Sequence, residues 1–127
     1  MRRVDPARSA KGGAAWRQGH AAEWLAAAWL MLTGHRILAF RLKTPQGEID
    51  LLAHRGRELI VVEVKRRALR DAAELALSPQ QAKRLLAAGE AVRRSRPALR
   101  EYALRIDLIA LAPGRLPRHL KRLAFDA

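Results

Sequence analysis

Three residues near the middle of this sequence have the types and spacing to do chemistry together. Asp50 lies in Gly47-Glu48-Ile49-Asp50, and Glu63 is separated from Lys65 only by Val64. Carboxylates gathered on one patch repel one another, and burial raises their pKa values, so such a patch needs a compensating partner. A divalent cation supplies it. Mg²⁺ prefers carboxylate oxygen and retained water, so two acids plus phosphate oxygens suffice, and Mn²⁺ can substitute. A cation held there would activate a water and polarise a scissile phosphate, while the Lys65 ammonium positions the water or offsets developing negative charge. The set is chemically sufficient for phosphodiester cleavage. The competing reading is ordinary surface ion pairing with the many arginines. Against it, Glu63 interrupts the strongly apolar run Leu59 to Val64, where a solvated charge is least expected.

Strands must position these groups. Glu48 to His54 and Arg57 to Lys65 read as two strands, with Arg55-Gly56 as a short hairpin turn between them. The β-branched run Ile60, Val61, Val62 and Val64 marks the second as central. With that turn His54 pairs with Arg57, Asp50 lies opposite Val61, and Glu48 lies opposite Glu63. Side-chain alternation then puts Glu48, Asp50, Glu63 and Lys65 on one face, with Asp50 diagonal to Glu63 at roughly 7–8 Å between Cα atoms. Glu48 is therefore an accessory candidate.

A helix from about Ala14, stopped at Gly34, carries Glu23 on the face of Trp16, His20, Ala27 and Leu30. Glu23 is the one acid among apolar neighbours and is read as partly buried. Its alternatives are a structural ion pair with an arginine or a further acid reaching the cation. His35 to Lys43 suits a first strand, and Thr44 to Gly47 a turn. Arg66 to Leu77 is charged and irregular. Ser78 looks like an N-cap with Pro79 at the first helical position of a helix reaching about Ser95. Tyr102 to Leu111 is a further strand, and the stretch around Arg118 to Phe125 adds a short last one. The order predicts one α/β domain with a mixed sheet over residues 14–127, preceded by a flexible basic arm at residues 1–13.

Composition narrows the partner. The 127 residues hold 25 Lys and Arg against 12 acids, a formal net charge of +13, and 50% are apolar. A chain this basic attracts polyanions, with nucleic acid first and an anionic membrane surface second. Cysteine is absent, which excludes disulfides, thiolate nucleophiles and Cys-type zinc sites and suits the cytoplasm. The apolar run Ala21 to Leu32 is too short to span a bilayer and contains a charge, so it is read as a helix of a soluble fold with no membrane partner.

The remaining residues carry less. His20, His35, His54 and His119 are too scattered for a metal motif, and there is no nucleotide-binding glycine loop or serine elbow. Trp16, Trp24 and Trp29 are read as core. Arg105 and Asp107 share a strand face and can pair. Arg93, Arg94 and Arg96 suit a helix C-terminus and could also grip phosphates. Two non-enzymatic readings stay open beside the nuclease: a nucleic-acid-binding module without catalysis, and an adaptor of a DNA-processing complex.

Four stretches resemble the YraN family of bacterial endonuclease-like proteins, similar in turn to archaeal Holliday-junction resolvases and the PD-(D/E)XK nuclease superfamily. They are Gly19-His20-Ala21-Ala22-Glu23, Gly47 to Ala53 with its GEID segment, Val62 to Arg67 with its EVK segment, and Arg105-Ile106-Asp107-Leu108. The GEID segment followed by EVK at this spacing is the specific part. The resemblance implies a restriction-endonuclease-like three-layer fold with helices flanking a mixed central sheet. It implies Mg²⁺-dependent endonuclease activity on DNA, including branched recombination or repair intermediates, by a homodimer. It carries metal binding to Asp50 and Glu63, catalysis to Lys65, and the helix acid to Glu23. The sequence departs from the pattern at Ala22, where the family often has Gly, and at Arg66, where Thr is frequent. Gln80 and Gln81 stand near a position often held by Lys, with Lys83 one turn on, so Gln81 and Lys83 are accessory candidates.

Overall fold

The computed structural model describes residues 20–66 and 77–123. The arm expected at residues 1–13, the part of the expected first helix before residue 20, with Trp16, and most of the stretch expected to be irregular after the EVK segment lie outside the described residues.

Helix α1 covers residues 20–32 and ends as its sequence requires. Gly34 takes φ +88°, and the His35 and Gly34 N–H groups donate back to the Leu30 and Met31 carbonyls at 2.9 and 3.2 Å, which satisfies the last turn. Three strands follow as a meander: β1 (Arg36–Thr44), β2 (Gly47–Arg55) and β3 (Glu58–Arg66). Helix α2 (Pro79–Ser95) crosses over to β4 (Ala103–Leu111), which runs parallel to β3, and β5 (Arg118–Leu120) closes the sheet antiparallel to β4. The spatial order is the sequence order, β1 to β5. Ser78 caps α2 by a capping box, its Oγ accepting from Gln81 N–H at 3.1 Å while Gln81 Oε1 accepts from Ser78 N–H at 3.2 Å.

Period-two alternation gives the sheet two apolar faces, one for each helix. Leu52, Leu59, Val61 and Ile106 pack with Leu85, Ala88 and Val92 of α2. Leu51, Ala53, Ile60, Val62 and Ile109 pack with Ala26, Ala27 and Leu30 of α1. The result is a mixed five-stranded sheet between two helices, the three-layer arrangement of restriction-endonuclease-like folds. Gly89 lets α2 settle on the sheet, because a Cβ there would stand 2.8 Å from both Val61 Cγ2 and Leu104 Cδ1. Alanine gains about 1 kcal/mol of helix propensity, but overpacking costs about 1–3 kcal/mol against a stiff buried valine. Gly89→Ala is therefore expected to lower unfolding free energy by about 1 kcal/mol, as measured by urea denaturation.

Two expectations need correction. The hairpin turn falls on Gly56-Arg57, not Arg55-Gly56, so the register slips by two: His54 pairs with Leu59, Leu52 with Val61, and Leu51 with Val62. Gly56 takes φ +57°, the left-handed first turn position that a tight hairpin assigns to glycine. A slip of two leaves the faces unchanged while moving Asp50 from opposite Val61 to the level of Glu63. The second correction concerns Trp24, which is 58% exposed and not core; its ring lies against Phe40 of β1 at 4.6 Å between centroids.

Candidate active site

Leu51↔Val62 is the last pair of the β2–β3 ladder, and the next residues along the two strands are Asp50 and Glu63. Alternation breaks there. Ile49 and Leu52, three apart, touch the same apolar cluster, although residues three apart in a regular strand face opposite ways. Asp50 sits at this irregularity, and its Oδ2 accepts the Val64 N–H at 2.9 Å. The backbone of one strand thus anchors the acid of the other.

The two carboxylates line a cleft of about 380 Å³ together with Glu23 and Ala22 of α1, Val64, Lys65 and Arg66 of β3, and Gln81 of α2. It opens beyond the C-terminal end of β3, between the two helices. Glu63 is the perturbed group. Burial, and then the neighbouring Asp50 charge, push its carboxyl up to about 7, against the pull of Arg84 and Lys65. Its Oε2 is buried without a hydrogen-bond donor, and the nearest guanidinium, Arg84 Nη2, stands 3.9 Å away. Glu23 is 7% exposed. Its Oε1 accepts from Arg41 Nη1 at 3.1 Å, whereas its Oε2 is buried with no donor. Burial raises the Glu23 carboxyl, Arg41 opposes this, and Asp50 adds to it.

These orphaned oxygens test whether a metal fits. A buried carboxylate oxygen without a donor is costly, and a hard divalent cation is the partner that an all-oxygen set selects. Asp50 and Glu63 offer such a set on one cleft wall. No group of three His, Cys, Asp or Glu among the described residues is close enough to enclose a metal ion. The geometry therefore suits two protein carboxylates completed by water and substrate oxygen, with Glu23 held back by Arg41.

The accessory candidates divide. Gln81 lines the cleft but spends its side-chain oxygen on capping α2. Lys83 is exposed and absent from the cleft lining. Glu48 faces Arg41, 3.5 Å from its Nε, and is not part of the lining either, so the broken alternation removes it from the expected common face. Two arginines take places at the site that no local sequence signal marks. Arg41 adopts φ +49° inside β1, a strained conformation for a side chain this large, and from there it reaches both Glu23 and Glu48. Arg84 lies across Gly47, where any Cβ would stand 2.6 Å from its Nη1, and donates to the Glu48 carbonyl at 3.1 Å beside Glu63. The expected Arg105–Asp107 pair forms with both residues buried, and neither lines this cleft.

Comparison with known proteins places the chain in a family. The model of the "Uncharacterised protein family UPF0102" matches residues 22–111, which contain Glu23, Asp50, Glu63 and Lys65. A UPF0102 protein of Caulobacter sp. (strain K31) is 55% identical over 113 residues, covering 89% of this chain and 81% of its own. One from Rhodopseudomonas palustris (strain BisB5) is 51% identical over 114 residues, covering 90% and 86%. One from Parvibaculum lavamentivorans is 50% identical over 111 residues, covering 87% and 84%. The chain belongs to the UPF0102 family, the YraN proteins that its GEID and EVK segments resemble.

Proposed function

We propose that the cleft is the active centre of a Mg²⁺-dependent endonuclease that hydrolyses phosphodiester bonds in DNA. The observation that carries this reading is the meeting of Asp50 with a buried Glu63, whose carboxyl is pushed up to about 7 by burial and then by the Asp50 charge and whose Oε2 lacks a donor. Perturbation of this kind in a cleft is what functional acids and metal ligands show. Asp50 and Glu63 would hold the metal, which when bound activates water and polarises the scissile phosphate. Asp50 is kept in place by the Val64 N–H. Lys65 projects from the same strand as Glu63 and orients the attacking water or offsets charge on the phosphate oxygens. Arg66, at the cleft mouth, grips a flanking phosphate.

The net charge of +13 supports a nucleic-acid substrate. Branched repair or recombination intermediates and a homodimer that reaches two strands follow from the resolvase resemblance and belong to the same proposal, as does a cytoplasmic site of action, which the absence of cysteine suits. No helix among the described residues is long and apolar enough to cross a membrane. The same charge would serve a binding module that does not cut, and one assay separates the two. Supercoiled plasmid is incubated with the wild type, Lys65→Ala and Glu63→Gln, each with Mg²⁺ and with EDTA. Nicking by the wild type in Mg²⁺ only, with both variants at background, is the expected result. Equal nicking by all three defeats the proposal, and DNA binding without nicking by any of them selects the binding module.

A further inference from the structure

The opposite end of β3 carries a second concavity of about 600 Å³, and its chemistry is the reverse of the first. It is lined by Arg55, Arg57, Glu58, Arg105, Lys121 and Arg122, at the β2–β3 turn and the segment after β5. One carboxylate, Glu58, organises it. Its Oε1 accepts from Arg105 Nη1 at 2.9 Å and from Arg122 Nη2 at 2.6 Å, and its Oε2 accepts from Arg122 Nε at 3.2 Å. Arg105 is 7% exposed and is fixed from behind by the fully buried Asp107, which it meets at 3.1 and 3.0 Å. Arg122 holds φ +50°, a strained conformation kept by its own N–H donating to Asp107 Oδ1 at 3.0 Å. Two guanidinium groups are thus held on one carboxylate at the wall of an open cavity. Arg57 and Lys121 add charge there, and neither has a carboxylate partner among the described residues. Nothing lies within 4 Å of where a Gly56 Cβ would be, so the turn leaves the space above it open.

Cations crowded round one carboxylate repel one another, and a strained backbone that holds them so calls for an anion in return. We propose that this cavity is a second phosphate-binding site, which takes a backbone phosphate of nucleic acid remote from the acidic cleft. The proposal rests on the reading that the partner is nucleic acid and does not depend on cleavage. Glu58 and Glu63 are five residues apart on β3, so a backbone engaging both ends must span at least about 16 Å, roughly the rise of five base pairs. Phosphate contacts of this kind fix where a strand lies and read no sequence.

The test is an anisotropy titration of a fluorescent DNA duplex with the full-length protein in EDTA, repeated over a salt series. Arg57→Ala/Lys121→Ala is compared with Arg36→Ala/Arg115→Ala, which removes the same charge from exposed positions elsewhere. Thermal melts check that both fold, and Arg57→Gln/Lys121→Gln replaces the first pair if it does not. The cavity pair is expected to weaken binding about tenfold and flatten the salt slope by about two, and the control pair to change binding less than about threefold. Equal losses in the two pairs, no loss in the cavity pair, or binding of anionic vesicles but not of DNA overturns the proposal. A protein that uses this cavity yet never nicks plasmid keeps the site and loses the nuclease. One that nicks while indifferent to Arg57 and Lys121 does the reverse.

Discussion

Asp50→Asn is expected to reduce Mg²⁺-dependent nicking at least a hundredfold while making the metal-free protein more stable at pH 8. Asparagine keeps an oxygen for the Val64 N–H, so the anchor at 2.9 Å survives and only the charge is removed. Glu63 then loses its nearest like-charged neighbour. Its carboxyl in the folded protein lies near 7, above the ordinary 4.5, so the folded state favours the protonated form. The stability linked to this group is full below about 4.5 and is lost as pH rises through 7, by up to about 3 kcal/mol in the wild type. Removing the Asp50 charge returns part of that loss, on the order of 1 kcal/mol. Thermal melts of the two proteins in EDTA at pH 5 and pH 8 read it directly. An ordinary stabilising ion pair would give the opposite sign, with the variant less stable at pH 8, and would leave nicking intact. Opposite changes in activity and stability are what a site loaded with like charge for a cation should show.

The second large effect lies outside the cleft. Asp107→Ala is expected to cost about 3–5 kcal/mol and to lower the melting temperature by roughly 10–20 °C. Asp107 is fully buried and accepts two bonds from Arg105, one from the Arg122 N–H, and shares a 2.7 Å bond with His119 Nε2. Burial alone would raise its carboxyl, but the bonds from His119, the Arg122 backbone and Arg105 outweigh it and hold the group below its ordinary value. The sign follows: its contribution is complete above the ordinary carboxylate pKa near 3.8 and disappears as pH falls through the lowered value. Removal leaves the Arg105 guanidinium buried with Glu58 and His35 as its remaining neighbours. Asp107→Asn, which keeps some acceptor capacity, should lose less. A loss under 1 kcal/mol for the alanine variant would show that water or His119 can take over.

The parts of this architecture that follow local rules were legible in the sequence. Apolar alternation, the Ser78-Pro79 cap signal and Gly34 place both helices and the strands of the sheet. The Glu63-Val64-Lys65 triplet in an apolar strand marks the cleft before any coordinates do. What could not be read is set by contacts distant in the chain. The hairpin register depends on which two residues make the turn, and Arg55, Gly56 and Arg57 leave both choices open. The face of Glu48 depends on a break in alternation that has no local signature. Arg41 and Arg84 are two among many arginines, and only the approach of β1 and α2 to the cleft distinguishes them. Trp24 reads as core because its type is usually buried, whereas α1 turns that side toward β1 and solvent.

The left-handed turn of Arg41 also bears on how the molecule behaves in a crowd. Among the described residues β1 has no neighbour on its outer side, and an open strand rim is where foreign chains add on and fibrils start. A rim that slips register between Ile37 and Ala39, twists abruptly at Arg41 and carries Arg36 and Lys43 presents no straight run of free N–H and C=O groups. The same local distortion that gives Glu23 its guanidinium thus keeps Leu38 and Phe40 from serving as a template for aggregation.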